Sequence, residues 1–353
     1  MRRRAASPAA SPTTTTALAA LAAVLLAGCG GGTQSPSGGP VNPSAPAVTT
    51  GSTQPAATNP VWPSNFPDPQ VLPDGDGWVA IATNGNGMNV QTLVSDDLTT
   101  WSQGSDALPQ VASWSTSGKV WAPEAHRFGD TWVMYYTTMA PDPAIQCIGL
   151  AVADDPKGPY RDTSSKPLVC EEDQGGSIDA SPFVASDGTA YLYWKNDGNA
   201  VGKDTWISVQ RLSPDGLRLE GEPKRLIRQD LPWEGQLVEA PFVWERDGVF
   251  HLFYSANDYG SDKYAVGHAT ASSPTGPFRK DDEPVLTSTD VAAGPGHCAL
   301  FEQDGRVLMA YHAWAPDSIG SEVPGRTMWL SEVTFDGTAV TVTPPATTLP
   351  EGL

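Results

Sequence analysis

A pattern of about 57 residues recurs five times along the chain, and it constrains the fold more than any other feature of the sequence. Each unit has a short strand, a turn rich in Asp and Gly, and a second, strongly apolar strand. The units align on Pro69, Pro123, Pro182, Pro241 and Cys298. These positions lie 54, 59, 59 and 57 residues apart, and no segment shows sustained helical periodicity.

Units of this size have room for about four strands each, which predicts an all-β, five-bladed β-propeller. A β-sandwich is the alternative for a chain with many short strands, but a sandwich gives no reason for a fixed internal period. We therefore expect residues 61–353 to form a single propeller domain.

The N-terminus has the pattern of an export signal. Three arginines at positions 2–4 precede an apolar run over residues 17–28, which is shorter than the roughly 20 residues needed to cross a bilayer. The run ends in Leu-Ala-Gly-Cys29, which is typical of a lipobox and predicts cleavage after residue 28 and lipidation of Cys29. An ordinary secretory signal cut nearby is the alternative. Both place the protein outside the cytoplasm, anchored to the outer face of the cell membrane or secreted.

Residues 29–60 are predicted to be a flexible tether. After Cys29 this stretch contains mainly Gly, Ser, Thr, Pro, Ala and Asn and carries no charged side chain. Such a composition offers too little apolar surface to offset the entropy of ordering the chain.

The formal net charge of −19 limits the partners that this protein can have. A strongly acidic surface repels nucleic acid and anionic lipid headgroups. We expect no nucleic-acid partner, contact with a membrane only through the lipid anchor, and a monomer.

Three cysteines are left if Cys29 carries a lipid. Cys147 and Cys170 flank a stretch with the composition of a hairpin turn, so in an oxidising compartment they are the expected disulfide pair. Cys298 is expected to be a buried free thiol.

Acidic side chains and one histidine fall at matched phases of the repeat, namely Asp68, Asp179, Glu239 and His297. The first strand of each propeller blade lines the central axis, so residues at its start converge on one pocket. Capping of a turn is the alternative for a single acid, but three acids in phase favour a site. Two carboxyl groups across a sugar can protonate the leaving oxygen and activate water, and a third raises the pKa of the acid.

At these residues the sequence resembles glycoside hydrolase family 43 over residues 62–353. The resemblance is carried by Asp68-Pro, Trp121-Ala-Pro-Glu, Ser177-Ile-Asp-Ala-Ser-Pro, Val238-Glu-Ala-Pro-Phe, Gly294-Pro-Gly-His, Tyr311-His-Ala-Trp and Gly325-Arg-Thr-Met. It implies a five-bladed propeller that cleaves glycans containing arabinose or xylose, with inversion of configuration.

The resemblance also implies roles for individual residues. Asp68 would be the general base, Asp179 the residue that modulates the pKa of the acid, and Glu239 the general acid. Arg326 would contact the substrate and the acid. His297 would lie beside a hydrated calcium or another cation on the axis, and no other cofactor is implied. Cys298, where many relatives have a polar residue, is a departure at that ion site.

Other candidates have competing structural interpretations. Trp121 is either a platform on which a sugar stacks or a packing residue between blades, and Glu124 is expected to be structural. Four residues lie on segments between repeats, where substrate-selecting loops occur: Trp114, Asn257, Asp258 and Tyr259. Four histidines are expected to be ordinary strand or loop residues: His126, His251, His268 and His312.

Two other functions fit a propeller of this kind. One is a non-catalytic protein that captures carbohydrate, but a pure binder has no reason to concentrate three carboxylates in one pocket, where each costs desolvation. The other is a related five-bladed enzyme acting on fructosides, which would retain configuration. The sequence contains no zinc-type Cys/His spacing, phosphate-binding glycine loop or Gly-x-Ser-x-Gly motif.

Overall fold

The computed structural model describes residues 57–353, and this part of the chain consists of five antiparallel sheets. They are arranged as a five-bladed β-propeller, which confirms the predicted fold class. The predicted signal, the lipidation site at Cys29 and most of the predicted tether lie outside the described residues.

The strands follow the repeat in chain order. The first blade contains β1 (Gln70–Asp74), β2 (Gly77–Ala82), β3 (Gln91–Ser95) and β4 (Ser102–Gln103). The second contains β5 (Thr116–Phe128), β6 (Thr131–Pro141) and β7 (Ala144–Ala153). The third contains β8 (Ser177–Val184), β9 (Ala190–Asn196), β10 (Trp206–Leu212) and β11 (Leu219–Arg228). The fourth contains β12 (Val238–Arg246), β13 (Val249–Ala256), β14 (Ala265–Ala271) and β15 (Arg279–Lys280). The fifth contains β16 (Ala293–Gln303), β17 (Arg306–Trp314), β18 (Thr327–Asp336) and β19 (Ala339–Val342).

The helices in the described residues are short 3-10 turns between strands. They are η1 (Glu172–Gln174), η2 (Gly198–Val201) and η3 (Pro232–Glu234). Within residues 57–353, no helix has the length and apolar character needed to cross a bilayer.

The Asp-Gly turns of the repeat connect the first and second strands of the blades. Asp247 and Gly248 join β12 to β13 with φ of 51° and 78°, and Asp304 and Gly305 join β16 to β17 with φ of 52° and 78°. Two successive residues in the left-handed region make the tight hairpin turn that matches the twist of paired strands. Asp and Gly adopt this region more readily than other residues, which explains the turn signal in the sequence.

The core is divided into five clusters of buried side chains, each between two neighbouring blades. Val79 and Ile81 of β2 pack toward the second blade, whereas Ala80 and Ala82 pack toward the fifth. Successive strand residues point to opposite faces, so a strand between two blades is buried on both. This is why the second strand of each unit is continuously apolar in the sequence.

The ring is closed by residues just before the first blade. Asn59 is 4% exposed, and its side chain donates to the Leu330 carbonyl and accepts from the Leu330 N–H. Trp62 forms a bridge with Met328 in β18. The folded part therefore begins before residue 61, and Asn59, which the sequence analysis assigned to the tether, belongs to the propeller.

The pairing of Cys147 with Cys170 is confirmed, and Cys298 is a buried free thiol as expected. The disulfide connects β7 to the segment that precedes η1. It therefore fixes a connection next to the start of β8, where Asp179 lies.

A local break in regular strand geometry sets the direction of the functional side chains, as a β-bulge near the start of the innermost strand in the second to fifth blades and just before β1 in the first. One residue per blade has positive φ there: Asp68 (60°), Ala122 (41°), Asp179 (56°), Ala240 (50°) and His297 (50°). The expected alignment of Pro182 with the other prolines is therefore wrong by two residues, because Ala180 follows the positive-φ residue of the third blade. Glu239 differs from the other functional residues because it precedes the positive-φ position.

Candidate active site

The predicted site residues meet in one pocket of about 540 Å³ at the start of the innermost strands. Its lining includes all six: Asp68, Trp121, Asp179, Glu239, His297 and Arg326. The bulges account for this convergence, because each turns its blade's side chain toward the axis at the same height. A larger cavity of about 1140 Å³ opens at the opposite ends of the same strands, and none of the six residues lines it.

Asp68 lies among cationic and hydrogen-bonding groups. Arg326 Nη1 donates to Asp68 Oδ1 over 2.8 Å, and Thr83 Oγ1 donates to Oδ2 over 2.5 Å. The expected contact of Arg326 with the acid is therefore wrong, because the guanidinium pairs with the predicted base. His297 Nδ1 and His312 Nδ1 lie 3.4 and 3.1 Å from Oδ1. Burial alone would raise the pKa of this carboxyl, but Arg326 and the two imidazoles outweigh it and hold the pKa well below its usual range. Asp68 is therefore an anion over the working pH range of most enzymes.

Asp179 has the opposite electrostatic environment, although it is equally buried at 8% exposure. Burial raises its pKa to about 6, and the Glu239 and Asp68 carboxylates add to this rise against the opposing effects of His297 and Lys195. Asp179 Oδ2 also accepts the Ala240 N–H over 3.0 Å. This contact fixes the carboxyl group beside the backbone of the residue that follows Glu239.

Glu239 is held at both of its carboxylate oxygens. The Tyr264 hydroxyl donates to Oε1 over 2.8 Å, and Lys195 Nζ donates to Oε2 over 2.9 Å. Burial would raise the pKa of Glu239, but the Lys195 ammonium and these two hydrogen bonds lower it. The sequence analysis predicted a raised pKa for the acid, Glu239. This prediction is wrong, because the raised pKa belongs to Asp179. Because the two groups interact, they titrate as a pair.

Two residues that contact the catalytic candidates were missed in the sequence. Lys195 contacts Glu239, and the expectation that His312 is an ordinary strand residue is wrong because its ring lies against Asp68. A signal for both exists in a second column of the repeat, 14 residues after Pro69, Pro123, Pro241 and Cys298 and 13 residues after Pro182. This column contains Thr83, Thr137, Lys195, Ser255 and His312. A polar residue at the same phase of five apolar strands points to a shared contact.

The outer wall of the pocket is formed by residues from the loops. Trp121 and Asp258 line the pocket, and Tyr259 lies over Arg326, with the guanidinium carbon 4.9 Å from the ring centroid. Tyr259 is 52% exposed, so its outer face is accessible to a ligand. Two of the loop candidates lie outside the pocket lining: Trp114, which donates to Ser164 Oγ, and Asn257, which donates to the Trp233 carbonyl.

Glu124 and two of the remaining histidines lie outside the pocket lining as well. Glu124 is buried and accepts from Ser181 Oγ over 2.8 Å, and burial raises its pKa well above the usual range. His251 and His268 form a buried chain with Asp281 between strands of the fourth blade. These contacts are structural, in line with the sequence analysis.

The surroundings of His297 do not supply the protein ligands of a directly bound metal ion. Its backbone N–H is bonded to Ser255 Oγ, and its Nδ1 faces Asp68. Over residues 57–353, no group of three or more His, Cys, Asp or Glu side chains is arranged to hold a metal. We derive no chemical step through a cation.

The site contains one ionised carboxylate, Asp68, and two further carboxyl groups, Asp179 and Glu239, that titrate as a pair. An anion that stays ionised can accept a proton from water, and a carboxyl group that holds a proton near neutral pH can donate it. The site has the components of acid and base catalysis across a pocket large enough for a sugar.

Known proteins resemble this chain over its whole folded part. The sequence model described as glycosyl hydrolases family 43 matches residues 57–339. A β-D-galactofuranosidase of Aspergillus niger is 29% identical over 282 residues, which cover 75% of this chain and 78% of that protein. An extracellular exo-α-(1→5)-L-arabinofuranosidase of Streptomyces chartreusis is 30% identical over 55% of this chain and 62% of its own length.

Two solved structures are also similar to this chain in fold and sequence. A thermostable family-43 glycoside hydrolase superposes with a TM-score of 0.75 at 30% identity, covering 84% of this chain and 98% of that one. A structure described as an endo-1,4-β-xylanase of Bacteroides thetaiotaomicron has a TM-score of 0.69 at 29% identity, with coverage of 82% and 96%.

Proposed function

The chain belongs to glycosyl hydrolase family 43 and is a glycoside hydrolase, and on that premise we propose that it cleaves α-L-arabinofuranosyl or β-D-xylosyl linkages with inversion. In this proposal Asp68 is the general base, Glu239 the general acid and Asp179 the modulator of the acid's pKa. The observation that carries it is the electrostatic division of the pocket, with a carboxylate of lowered pKa on one side and a pair of carboxyl groups that share a proton on the other.

Asp68 acts on water in this mechanism. Its lowered pKa keeps it ionised, and Arg326 and Thr83 donate the hydrogen bonds that hold the carboxylate in one orientation. A water molecule between Asp68 and the anomeric carbon loses a proton to Asp68 as its oxygen attacks. Inversion follows because this attack comes from the face opposite the leaving group.

Glu239 acts on the glycosidic oxygen. The Asp179–Glu239 pair takes up one proton near pH 6 because burial and mutual repulsion oppose its full ionisation. The form with the proton on Glu239 is the reactive one, and it is in equilibrium with the form that carries the proton on Asp179. The alkaline limb of the pH profile therefore follows the titration of the pair.

The substrate class rests on the relatives and on the neutral character of their sugars. The two enzymes compared above act, by name, on β-D-galactofuranosyl and α-(1→5)-L-arabinofuranosyl linkages. These two furanoses have the same ring configuration and differ in the exocyclic group. A β-D-galactofuranoside is therefore a second candidate substrate. Trp121 and Tyr259 offer aromatic faces for the apolar side of a sugar ring.

The proposal extends to the place where the enzyme works. Export agrees with the Cys147–Cys170 disulfide, since disulfides persist in oxidising compartments, and with the extracellular relative. We further propose that the mature protein is a monomer, anchored by a lipid on Cys29 and attached through the predicted tether. A hydrated cation beside His297 is part of the proposal, but it has no assigned step.

Hydrolysis of a substrate panel tests the proposed function. The panel contains aryl α-L-arabinofuranoside, β-D-xyloside and β-D-galactofuranoside, together with polymeric arabinan and xylan. We expect turnover of at least one arabinofuranoside or xyloside, and loss of that turnover in Asp68→Asn. Binding of these glycans without hydrolysis would favour the carbohydrate-capture alternative, and turnover of fructosides alone would favour the fructoside-acting one.

A further inference from the structure

One position of the repeat connects each blade to the next. In four blades a side chain of the second strand, or of the residue directly after it in the first blade, accepts a hydrogen bond from the backbone N–H of the positive-φ residue in the following blade. The pairs are Thr83 Oγ1 with Ala122 (2.8 Å), Thr137 Oγ1 with Asp179 (3.1 Å), Ser255 Oγ with His297 (2.8 Å) and His312 Nδ1 with Asp68 (3.2 Å). The contact holds the strained bulge in place.

The third blade departs from this rule. Its residue at that position is Lys195, whose ammonium group donates hydrogen bonds but cannot accept one. In the pattern of the other blades, the N–H of Ala240 would donate to the side chain at position 195. It donates instead to Asp179 Oδ2. Lys195 is therefore released from the structural contact, and its Nζ lies 2.9 Å from Glu239 Oε2 and 3.5 Å from Asp197 Oδ1.

Burial makes this exception costly. The Lys195 side chain is 1% exposed, and a buried ammonium group loses its hydration. A Thr or Ser, as in the other blades, would serve the structural contact without that cost. The neighbouring carboxylates offset the cost of burial and raise the pKa of Lys195, so the cation persists. Its main contact is the proposed general acid.

The geometry around Glu239 leaves it little freedom. Tyr264 donates to one carboxylate oxygen and Lys195 to the other. The Tyr264 ring is itself fully buried and lies parallel to the His312 ring, with 5.8 Å between centroids and 6° between planes. The acid is thus clamped by groups that are fixed by their own packing.

We propose that Lys195 is a positioning residue that stabilises the Glu239 carboxylate formed when the acid gives its proton to the glycosidic oxygen. The inference rests on the proposed function of Glu239. In the step concerned, the O–H bond of Glu239 breaks as the glycosidic oxygen takes the proton and leaves the anomeric carbon, while water loses its proton to Asp68. The negative charge that develops on Glu239 lies against the Lys195 ammonium, which makes Glu239 a stronger acid.

The cation also sets the pH range of the enzyme. Lys195 opposes the rise of the Asp179 pKa and lowers that of Glu239. His297 and Asp197 also face this group of charges, and Asp68 and Arg326 lie on the opposite side of the pocket. Removing only the Lys195 charge should move the alkaline limb of the kcat/KM profile to higher pH, because both acids then hold their proton more tightly.

The test compares Lys195→Met with Lys195→Arg and with Lys166→Met, which removes a charge from an exposed lysine that does not line the pocket. Profiles of kcat/KM against pH are recorded with a nitrophenyl and a phenyl glycoside of the sugar that the wild type cleaves. For Lys195→Met we expect the alkaline limb to rise by about one pH unit. The rate at the optimum should fall about tenfold or more on the phenyl glycoside, whose leaving group needs the proton, and less than about threefold on the nitrophenyl glycoside.

In Lys195→Arg the alkaline limb should lie close to that of the wild type, and Lys166→Met should match the wild type. An unchanged limb in Lys195→Met, or an equal loss of rate on both substrates, would overturn the inference. If Lys195→Met does not fold, Lys195→Thr, which introduces the residue type of the first two blades, is measured with the same criteria. Glu239→Gln is measured in parallel, and if it lacks a leaving-group dependence, the proposed function itself fails.

Discussion

The two sides of the pocket are equally buried but have opposite protonation behaviour. On the side of the first and fifth blades, Asp68 is surrounded by Arg326, His297 and His312 and stays ionised. On the side of the third and fourth blades, one buried cation, Lys195, is shared among several carboxylates, and the pKa of Asp179 rises to about 6. Burial alone therefore does not determine what a carboxyl group does in this fold: the Arg326 guanidinium dominates around Asp68, whereas neighbouring carboxylates add to the effect of burial on Asp179.

Removing the base should have the largest effect. We expect Asp68→Asn to lose roughly 10³-fold or more in kcat on both good and poor leaving groups, because the variant lacks the carboxylate proposed to accept the water proton. Azide should restore part of the turnover by attacking the anomeric carbon from the vacated space. Asp290→Asn, at an exposed position, is the matched control. Near-normal hydrolysis by Asp68→Asn would contradict the assignment of Asp68 as the base.

Removing the acid should have an effect that depends on the substrate. Glu239→Gln should reduce cleavage of phenyl or polymeric substrates by roughly 10²- to 10⁴-fold. It should spare much of the rate on nitrophenyl glycosides, whose nitrophenolate leaving group departs without a proton. Measurement of kcat for a series of aryl leaving groups checks this. A loss that is independent of the leaving group would contradict the assignment of Glu239 as the acid.

Asp179→Asn should change the pH dependence of both activity and stability. Without Asp179, Glu239 titrates alone at its lowered pKa, so the alkaline limb should move to lower pH. A folded-state pKa above the unfolded value means that the charge destabilises the fold above about pH 6, and that this cost fades as the pH falls toward 4.

The Asn variant should accordingly be more stable than the wild type at pH 7.5, by on the order of 2–3 kcal/mol. The gain should vanish near pH 4. Denaturant unfolding at both values, with Asp290→Asn as the control, gives the difference. A loss of stability at pH 7.5 would indicate that the carboxylate is stabilised in a way that this account omits.

Removing Arg326, the cation beside Asp68, should have the smallest effect. Arg326→Met is expected to raise the pKa of Asp68 and shift the acidic limb of kcat/KM upward by about one pH unit. The stability that Asp68 gains from its cations is present above its unfolded pKa and is lost as the pH falls through its lowered folded pKa. Arg326→Met should therefore be less acid-stable than Arg326→Lys. An unchanged acidic limb would show that the imidazoles alone hold Asp68 ionised.

The repeat was enough to predict the blades and the convergence of Asp68, Asp179, Glu239 and His297. This worked because the position of a residue along a blade fixes its height on the axis. The alignment of Pro182 failed because identical residues were matched, whereas the bulge is defined by backbone φ at Asp179. Proline beside a bulge is a local preference and can shift by two residues without moving the bulge.

The division of pKa values was not predictable from single positions in the sequence. Lys195 and His312 each lie near the end of an apolar strand, and their partners belong to the next blade. Only the paired geometry shows that one faces Glu239 and the other Asp68. The extent of the fold was also set by a distant contact, since Asn59 has a tether-like sequence context but pairs with Leu330 across the ring closure.

The central claim is that Asp68 activates water on the face opposite Glu239, and the anomeric configuration of the product tests it most directly. Proton NMR during the first turnovers, before mutarotation, identifies the anomer released from an aryl glycoside that the wild type cleaves. The account predicts that the first-formed sugar has the configuration opposite to that of the substrate. A first-formed product with retained configuration would contradict it, because a carboxylate would then have attacked the sugar directly.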